Sequence, residues 1–257
     1  MFRCNAVQAL STTLLLVACA TPLAAEIALP ERRVDGKLRV LIVTGGHAFD
    51  EAPFFAMFDR MPEILWAHVR YGQDAEKWFS KDLSGRYDAL LFYDMNQKHE
   101  GHSPALKETI EQGKPAVFLH HALGSYPRWS EYGELIGGRA YFGGDKIPGV
   151  PNTKFLHDVW LHVSVADLHH PITAGLRDFD IYDETYKNYL VLPGSHVLLE
   201  TDHPSSDRAI GWTYTAGKSR VVYLQPGHGP QAFSHPIFET LVRRSLLWTA
   251  GLLERKQ

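Results

Sequence analysis

The chain has 257 residues, of which 45% are hydrophobic, and 26 basic against 29 acidic side chains give a formal net charge of −3. This length and hydrophobic share are sufficient for one large α/β domain with a full core. The charge is near neutral and no segment carries a basic cluster, so nucleic acid is excluded as an expected partner.

The N-terminus has the three parts of a secretory signal. Arg3 supplies positive charge, residues 7–18 are uncharged and mostly apolar, and small residues follow. The apolar part is shorter than a comfortable membrane span. Two cleavage patterns fit equally: a bacterial lipobox in which Cys19 is lipidated, or ordinary cleavage after Ala20 or Ala25. Either pattern predicts an extracytoplasmic, periplasmic protein that is soluble or lipid-anchored, with no other contact to the membrane.

The cysteines restrict the chemistry of the folded part. The chain has two cysteines, Cys4 and Cys19, and both lie in the predicted leader of residues 1–25, whereas all 14 histidines follow it. Disulfides, cysteine nucleophiles and thiolate metal sites are therefore excluded after the leader. Any chemistry must come from histidines, carboxylates, hydroxyl groups or a bound metal.

The first half of the domain predicted over residues 38–251 alternates strands and helices. A short linker, residues 26–37, precedes it. The apolar runs predict strands at 37–46, 64–71, 87–95 and 115–121, with helices at 50–61 (Asp50 as its N-cap) and 104–112. This alternation is typical of a doubly wound, mostly parallel sheet that is covered by helices on both faces.

Short strands dominate the second half. They are predicted at 159–165, 179–183, 196–201, 209–215 and 220–227, with a hairpin turn at 215–220 and a closing helix at 235–249. No internal repeat is present, and a single domain is the simplest interpretation.

Histidines stand at the ends of several predicted strands. His47 follows the first strand, His120 and His121 end the fourth, and His228 follows the last. In doubly wound sheets, ligands bind outside the carboxyl ends of the strands, so these side chains are expected to converge. A single histidine at a strand end is usually a surface residue, but several at one edge are harder to explain that way.

Imidazoles in a pocket serve as metal ligands or as acid–base groups. The complementary carboxylate is expected from Asp183 and Glu184, which are placed just after a strand and are followed by Tyr186. Two histidines and a carboxylate are a common set for a divalent metal such as zinc. An acidic loop in solvent is the alternative interpretation of Asp183 and Glu184.

Aromatic side chains cluster after the fourth strand and suggest a carbohydrate ligand, because rings pack against the C–H faces of sugars. Most such rings nevertheless pack in cores or loops. The rings considered are Tyr126, Trp129, Tyr132, Tyr141 and Phe142, with Tyr186 and Trp212 elsewhere.

Five segments in order resemble the trehalose-utilisation (ThuA-like) family over roughly residues 38–251. They are "VTGGHAFD", "FLHHALGSYPRWSEYGELIGGR", "HHPITAGLRDFDIYDETY", "GWTYTAGKSRVVYLQPGHG" and "LLWTAG". The resemblance implies the flavodoxin-like fold of class I glutamine amidotransferases. It also implies sugar metabolism, with a glycoside or keto-sugar as substrate and a sugar dehydrogenase as a partner in the same pathway.

The resemblance assigns places to individual histidines. His120 falls where the amidotransferases carry their nucleophilic cysteine, so glutamine hydrolysis is not expected, and His228 resembles their late histidine. His121 stands where a small residue is frequent. Gly229 stands where the family often has Asp or Thr, so a side-chain contact is expected to be missing there.

An extracytoplasmic glycoside or keto-sugar hydrolase, lyase or isomerase is therefore the leading hypothesis. A non-catalytic carbohydrate-binding protein and an envelope interaction protein are the alternatives, but clustered imidazoles suit acid–base work better than simple binding. The candidate catalytic residues are His120, Glu184 and His228; the candidate metal ligands are His47, His120 and His228. The candidate substrate-binding residues are His121, Trp129, Tyr132, Asp183 and Tyr186.

Overall fold

The structure, a computed structural model, describes residues 29–30, 33–71, 73–97, 103–143 and 151–253. The strands are β1 (Leu38–Gly45), β2 (Ile64–Arg70), β3 (Ala89–Asp94), β4 (Ala116–Leu119), β5 (Gly138–Arg139), β6 (Lys154–Val165), β7 (Phe179–Lys187), β8 (Leu190–Val191), β9 (His196–Glu200), β10 (Ala209–Ala216) and β11 (Ser219–Leu224). The helices are α1 (Glu51–Asp59), α2 (Gln73–Trp78), α3 (Lys81–Ser84), α4 (Pro104–Glu111), α5 (Tyr132–Ile136), α6 (Pro230–Phe233) and α7 (Pro236–Thr249), and a 3-10 helix covers His120–Gly124.

Nine strands form one mixed sheet in the order β2-β1-β3-β4-β11-β10-β9-β6-β7. The five strands from β2 to β11 are parallel, and the other four continue the sheet in antiparallel pairs. The register aligns Ile42, Leu91, Val117 and Val222 across four parallel strands. The expected flavodoxin-like, mostly parallel α/β fold is thus confirmed.

Hydrophobic side chains cover both faces of the parallel strands, as uninterrupted apolar strands require. On one face, Phe54 and Phe58 of α1 and Leu241 of α7 pack with Ile42 and its row. On the other face, the alternate strand residues pack with α4 and α5. The ligand-accessible part of the sheet is therefore its edge, where the parallel strands end.

The predicted elements of the first half agree with the structure to within a few residues. In α4 the side chain of Ser103 accepts a hydrogen bond from the backbone N–H of Leu106, whereas Asp50 stands at the N-cap position of α1 without a side-chain cap bond. The fourth strand ends at Leu119, earlier than predicted. His120 has a φ of +54° there, which turns the chain sharply into the 3-10 helix.

Two strands of the second half, β6 and β7, are clearly longer than the sequence predicts, whereas β11 ends at Leu224, before the predicted 227. β6 begins at Lys154 instead of 159, and β7 continues to Lys187 instead of ending at 183. Asp183 and Glu184 were expected just after this strand, with an acidic loop in solvent as the alternative; both lie within β7. A bulge in β6 between Leu156 and Val159 interrupts the alternating pattern of that strand but not its pairing, so the sequence pattern indicates β6 only from residue 159 onwards.

The predicted leader, with Cys4 and Cys19, lies outside the described residues. Within the described part of the expected linker, Leu29 is buried against the core and Arg33 pairs with Asp88. No helix among the described residues is both long enough and apolar enough to cross a membrane.

Candidate functional site

Three polar side chains meet beyond the carboxyl ends of β4 and β11. The Nε2 atom of His120 lies 2.9 Å from Oε2 of Glu184 and 3.2 Å from Nδ1 of His228. The same Glu184 oxygen lies 3.1 Å from Nδ1 of His228. His120 and Glu184 are buried, and His228 is partly exposed. The structure therefore brings together the three residues that the sequence indicates as catalytic candidates.

The pairing of two parallel strands orients His120. Leu119 of β4 is aligned with Leu224 of β11, so the residues that follow them, His120 and Gln225, are neighbours. Nδ1 of His120 donates a hydrogen bond of 2.7 Å to the carbonyl oxygen of Gln225, because that oxygen can only accept. Nε2 is thereby directed at Glu184, and at the hydroxyl of Tyr186, which lies 2.8 Å away.

Opposite charge sets the protonation of the cluster. Burial alone would raise the pKa of Glu184, but hydrogen bonds from His120 and His228 outweigh it and hold that pKa well below its usual range. The hydrogen bond to Glu184 in turn raises the pKa of His228, against the opposing effect of burial. The carboxylate is therefore ionised and His228 binds a proton more readily than a free imidazole.

The cluster favours a cation at its centre. With Nδ1 of His120 donating to a carbonyl, a neutral His120 would direct the lone pair of Nε2 at a carboxylate oxygen 2.9 Å away. A proton or a metal ion between these atoms removes the repulsion. The arrangement thus suits either a charged acid–base pair or a divalent metal centre.

Asp183 fixes the loop that carries His228. Its Oδ2 accepts from the backbone N–H of Gly227 at 2.7 Å, and its Oδ1 accepts from the backbone N–H of His228 at 2.9 Å. The hydroxyl of Tyr93 donates to the carbonyl oxygen of Gly227 at 2.8 Å. Asp183 is buried, which raises its pKa. It was expected to bind substrate, and its observed contacts instead hold backbone in place.

A cavity of about 110 Å³ opens beside the cluster. His121 faces it, with Nδ1 donating to the carbonyl oxygen of Asp94 at 3.2 Å and Nε2 buried without a hydrogen-bond partner among the described residues. His47 packs against His121, with ring centroids 4.9 Å apart. Burial lowers the pKa of both rings, which favours neutral imidazoles. The cavity lining is His47, Met95, His121, Phe142, Phe155, His157, Glu184, Tyr186 and His228.

Some expected site residues lie elsewhere. Trp129 and Tyr132 are buried in the hydrophobic cluster on the α4 and α5 face of the sheet, where the hydroxyl of Tyr132 donates to the carbonyl oxygen of Ala122. They do not line the cavity, because both rings pack against Tyr126 within that cluster. His47 contacts His121 and not the cluster, so the metal-ligand group formed by described residues is His120, Glu184 and His228.

The sequence did not indicate two ring side chains that the structure places at the cavity, Phe155 and His157, whereas Phe142, one of the rings considered from the sequence, also lines it. Nδ1 of His157 lies 3.3 Å from Oε1 of Glu184, and its ring centroid lies 4.6 Å from that of His228. Phe155 and His157 precede the strand predicted at 159–165. The signal that could have found them is the break in the apolar alternation at residues 157–158.

Comparisons with known proteins agree with this fold. A model of the family described as "Trehalose utilisation" (ThuA) matches residues 39–249, whereas no functionally curated protein matches the sequence. A ThuA-like protein from Parabacteroides merdae superposes with a TM-score of 0.68 at 16% identity, covering 86% of this chain and 93% of that chain. One from Bacteroides uniformis gives 0.64 at 19% identity, covering 86% and 94%. A β-galactosidase from Bacillus circulans gives 0.51 at 11% identity, covering 86% of this chain but 32% of that chain.

Proposed function

This chain belongs to the trehalose-utilisation (ThuA) family, and on that premise we propose that it is an extracytoplasmic enzyme that processes a glycoside or a keto-sugar. Family membership suggests carbohydrate metabolism. Beyond this family role, we propose that the reaction takes place at the cluster of His120, Glu184 and His228.

The convergence of those three groups carries the proposal. A protein that only binds sugar needs aromatic rings and amide groups, whereas an ionised carboxylate between two imidazoles is a group set for proton transfer. The cluster borders a cavity, so a substrate atom can approach it. A glutamine amidotransferase activity is not part of the proposal, because His120 occupies the turn at which the resemblance would require a cysteine.

Hydrolysis, elimination and isomerisation of sugars share one requirement, which is to move a proton to or from an oxygen or carbon atom. In this proposal His228, whose pKa is raised by Glu184, donates that proton. Glu184 stabilises the positive charge, and Tyr186 hydrogen-bonds to His120. A keto-sugar substrate would be supplied by a sugar dehydrogenase, the class of enzyme that oxidises a sugar hydroxyl to a carbonyl.

The same atoms fit a divalent metal such as zinc, and a metal is part of the proposal. Ligand atoms about 2.0–2.2 Å from a tetrahedral zinc lie about 3.3–3.6 Å apart, slightly more than the observed separations of 2.9, 3.1 and 3.2 Å. His120 Nε2, Glu184 and His228 Nδ1 would hold the ion, and the carbonyl of Gln225 would orient His120. A bound metal would supply Lewis-acid polarisation of a sugar oxygen.

The variants Glu184→Gln and His120→Asn test whether the cluster performs chemistry. With glycosides and 3-keto-glycosides as test substrates, turnover should fall about a hundredfold or more in each, the usual scale for losing an acid–base group. His162→Asn is the control, since His162 is an exposed histidine of β6 that pairs with Asp180 outside the cavity. Full activity in both cluster variants would leave the protein as a carbohydrate-binding protein.

Elemental analysis of the purified protein distinguishes a bound divalent metal from a proton at the cluster. A stoichiometric divalent metal in the wild type that is lost in Glu184→Gln and retained in His162→Asn would assign the centre to a metal. Turnover without metal, unaffected by chelation, would assign it to a proton.

A further inference from the structure

We infer that the strand β6 provides a second sugar-binding subsite just outside the cavity, formed by the ring of Phe155 with His157 at its inner side. The inference rests on the proposed function in one respect, that the ligand is a carbohydrate. It commits to a ligand with at least two rings: one enters the cavity and the next lies against Phe155.

The strand pairing places these side chains on the site. Phe155 is aligned with Tyr186 across the β6–β7 pair, and Val159 is aligned with Asp183, so the bulge at His157 and Asp158 lies opposite Glu184. Residues directly opposite each other in an antiparallel pair share a face of the sheet. Phe155 and His157 therefore extend the surface of Tyr186 and Glu184 outward by one strand.

The cavity is too small to enclose two sugar rings, so a two-ring ligand would extend outside it. Pockets that enclose drug-sized ligands measure about 300–1,000 Å³, and this cavity measures about 110 Å³. It can hold the reacting part of one sugar ring and no second ring. The second ring of a larger glycoside would therefore lie outside the cavity, next to Phe155 and His157.

Phe155 has the exposure that a stacking platform needs. The residue is 56% exposed, although it packs against Phe142 and His157 at centroid distances of 6.4 and 5.2 Å. Such a ring offers an apolar face held from two sides, and the C–H face of a pyranose can cover it. A sugar ring that covers about half of the exposed face would improve affinity about tenfold.

His157 supplies the polar contact beside this platform. Its Nδ1 faces Oε1 of Glu184 at 3.3 Å, and its side chain is 46% exposed. The opposite ring nitrogen is therefore available on the solvent side to bond a hydroxyl of the outer ring. An exposed apolar face beside a polar ring atom matches the amphipathic surface of a sugar better than that of a purely apolar ligand.

Calorimetry and saturation-transfer NMR on the full chain test the subsite, with trehalose and glucose as probes. The wild type should bind trehalose about tenfold more tightly than glucose. Phe155→Ala should abolish that preference, and Phe155→Trp should retain it. Trp160→Ala is the matched control, because Trp160 is another exposed aromatic of β6 (68%), packed on Tyr182 and absent from the cavity lining.

The outcomes separate this inference from the proposed function. No binding of either probe, equal binding of both, or a loss of preference in Trp160→Ala instead of Phe155→Ala overturns the subsite. If Phe155→Ala loses the preference while Glu184→Gln keeps full turnover, the subsite stands and the proposed chemistry fails. Thermal unfolding of Phe155→Ala should match the wild type, which excludes misfolding as the cause.

Discussion

Asp183 shows how a carboxylate can serve the site without facing a substrate. It accepts hydrogen bonds from the backbone N–H groups of Gly227 and His228, and so determines where the His228 ring lies. The neighbouring Glu184 points its carboxylate at the imidazoles instead. The two adjacent acids of β7 thus have different roles: Asp183 holds the backbone of the loop that carries His228, and Glu184 belongs to the cluster.

Replacing Asp183 with Asn should therefore destabilise the protein. The amide group can accept through one oxygen, but its NH₂ group would face a backbone donor. We expect the free energy of unfolding to fall by about 2 kcal/mol, as for a lost hydrogen bond to a charged group, measured by urea denaturation. Asp180→Asn is the control on the same strand: its carboxylate is 67% exposed, and stability should change by less than about 0.5 kcal/mol. Equal effects of the two variants would contradict the positioning role.

Asp94, at the end of β3, makes the stability of the folded protein depend on pH. The residue is buried, and burial raises its pKa to about 7, although Ser125 and Asn96 donate to Oδ2. Oδ1 has no hydrogen-bond partner among the described residues. The folded state therefore binds this proton more tightly than the unfolded state does. Stability from this group is greatest below about pH 4 and declines as the pH rises to about 7.

Asp94→Asn should remove that decline, because the amide can accept at the Oδ2 position and does not titrate. Relative to the wild type, the variant should gain about 2 kcal/mol between pH 5 and pH 8. Urea unfolding at both pH values gives the comparison, in which the titration of other groups cancels. Parallel stability curves for the two proteins would show that Asp94 is ionised in the folded state throughout.

At the scale of elements, the loop after β1 approaches the end of β3 very closely. Gly46 has a φ of +79°, and a Cβ added to it would lie 2.1 Å from the carbonyl oxygen of Met95. The preceding residue accepts a hydrogen bond of 2.7 Å from the backbone N–H of Met95. This close contact places His47 over the cavity, so only glycine fits at position 46.

Gly46→Ala should cost more than about 2 kcal/mol of stability, since it combines a left-handed backbone with a backbone clash. Gly175→Ala isolates the first effect. Gly175 has a similar φ of +74°, and no described atom lies within 4 Å of the added Cβ. We expect that control to lose about 1 kcal/mol. Thermal unfolding of both variants gives the two losses of stability. If Gly46→Ala loses no more stability than Gly175→Ala, the loop can move away from Met95.

The bulge in β6 explains which elements the sequence could and could not place. Val159, Leu161 and Val163 form an alternating apolar pattern that predicts a strand correctly. Continuing the same alternation backwards would direct Phe155 and His157 to the core. The extra residue in the bulge reverses the alternation and turns them to the site. The break in the alternation at residues 157–158 marks where the pattern fails, but the direction in which Phe155 and His157 then point depends on pairing with β7.

The same contrast holds for the site as a whole. Strand ends are local signals, so the convergence of His120 and His228 at one edge was predictable from a parallel sheet. Glu184 was also expected at this edge, as the carboxylate that complements the histidines. Its position within β7 was not predictable, because it depends on contacts that Asp183 makes over 44 and 45 residues with Gly227 and His228. Trp129 and Tyr132 were expected to bind substrate but lie away from the cavity. The presence of an aromatic residue in the sequence does not tell which face of the sheet buries its ring.

At the scale of the whole molecule, cell fractionation tests whether the predicted lipobox directs lipidation of Cys19. If Cys19 is lipidated, Cys19→Ala should release the protein in soluble form or leave it unprocessed, and it should not incorporate labelled palmitate. Cys4→Ala should leave processing unchanged. A wild-type mature chain that begins after Ala20 or Ala25 and is soluble in the periplasm would contradict lipidation and still agree with a periplasmic enzyme.

The β6–β7 pair is joined to the rest of the sheet by a short register between β6 and β9, at Ser164 and Val165. Phe155 and His157 therefore lie on a strand that has no backbone pairing with β4, the strand that leads into His120. On the proposed subsite, a change at Phe155 would alter which sugars are accepted while the reacting atoms stay where they are. If that subsite is confirmed, libraries confined to residues 154–156, which leave His157 and its contact with Glu184 in place, would be an economical route to new substrate ranges.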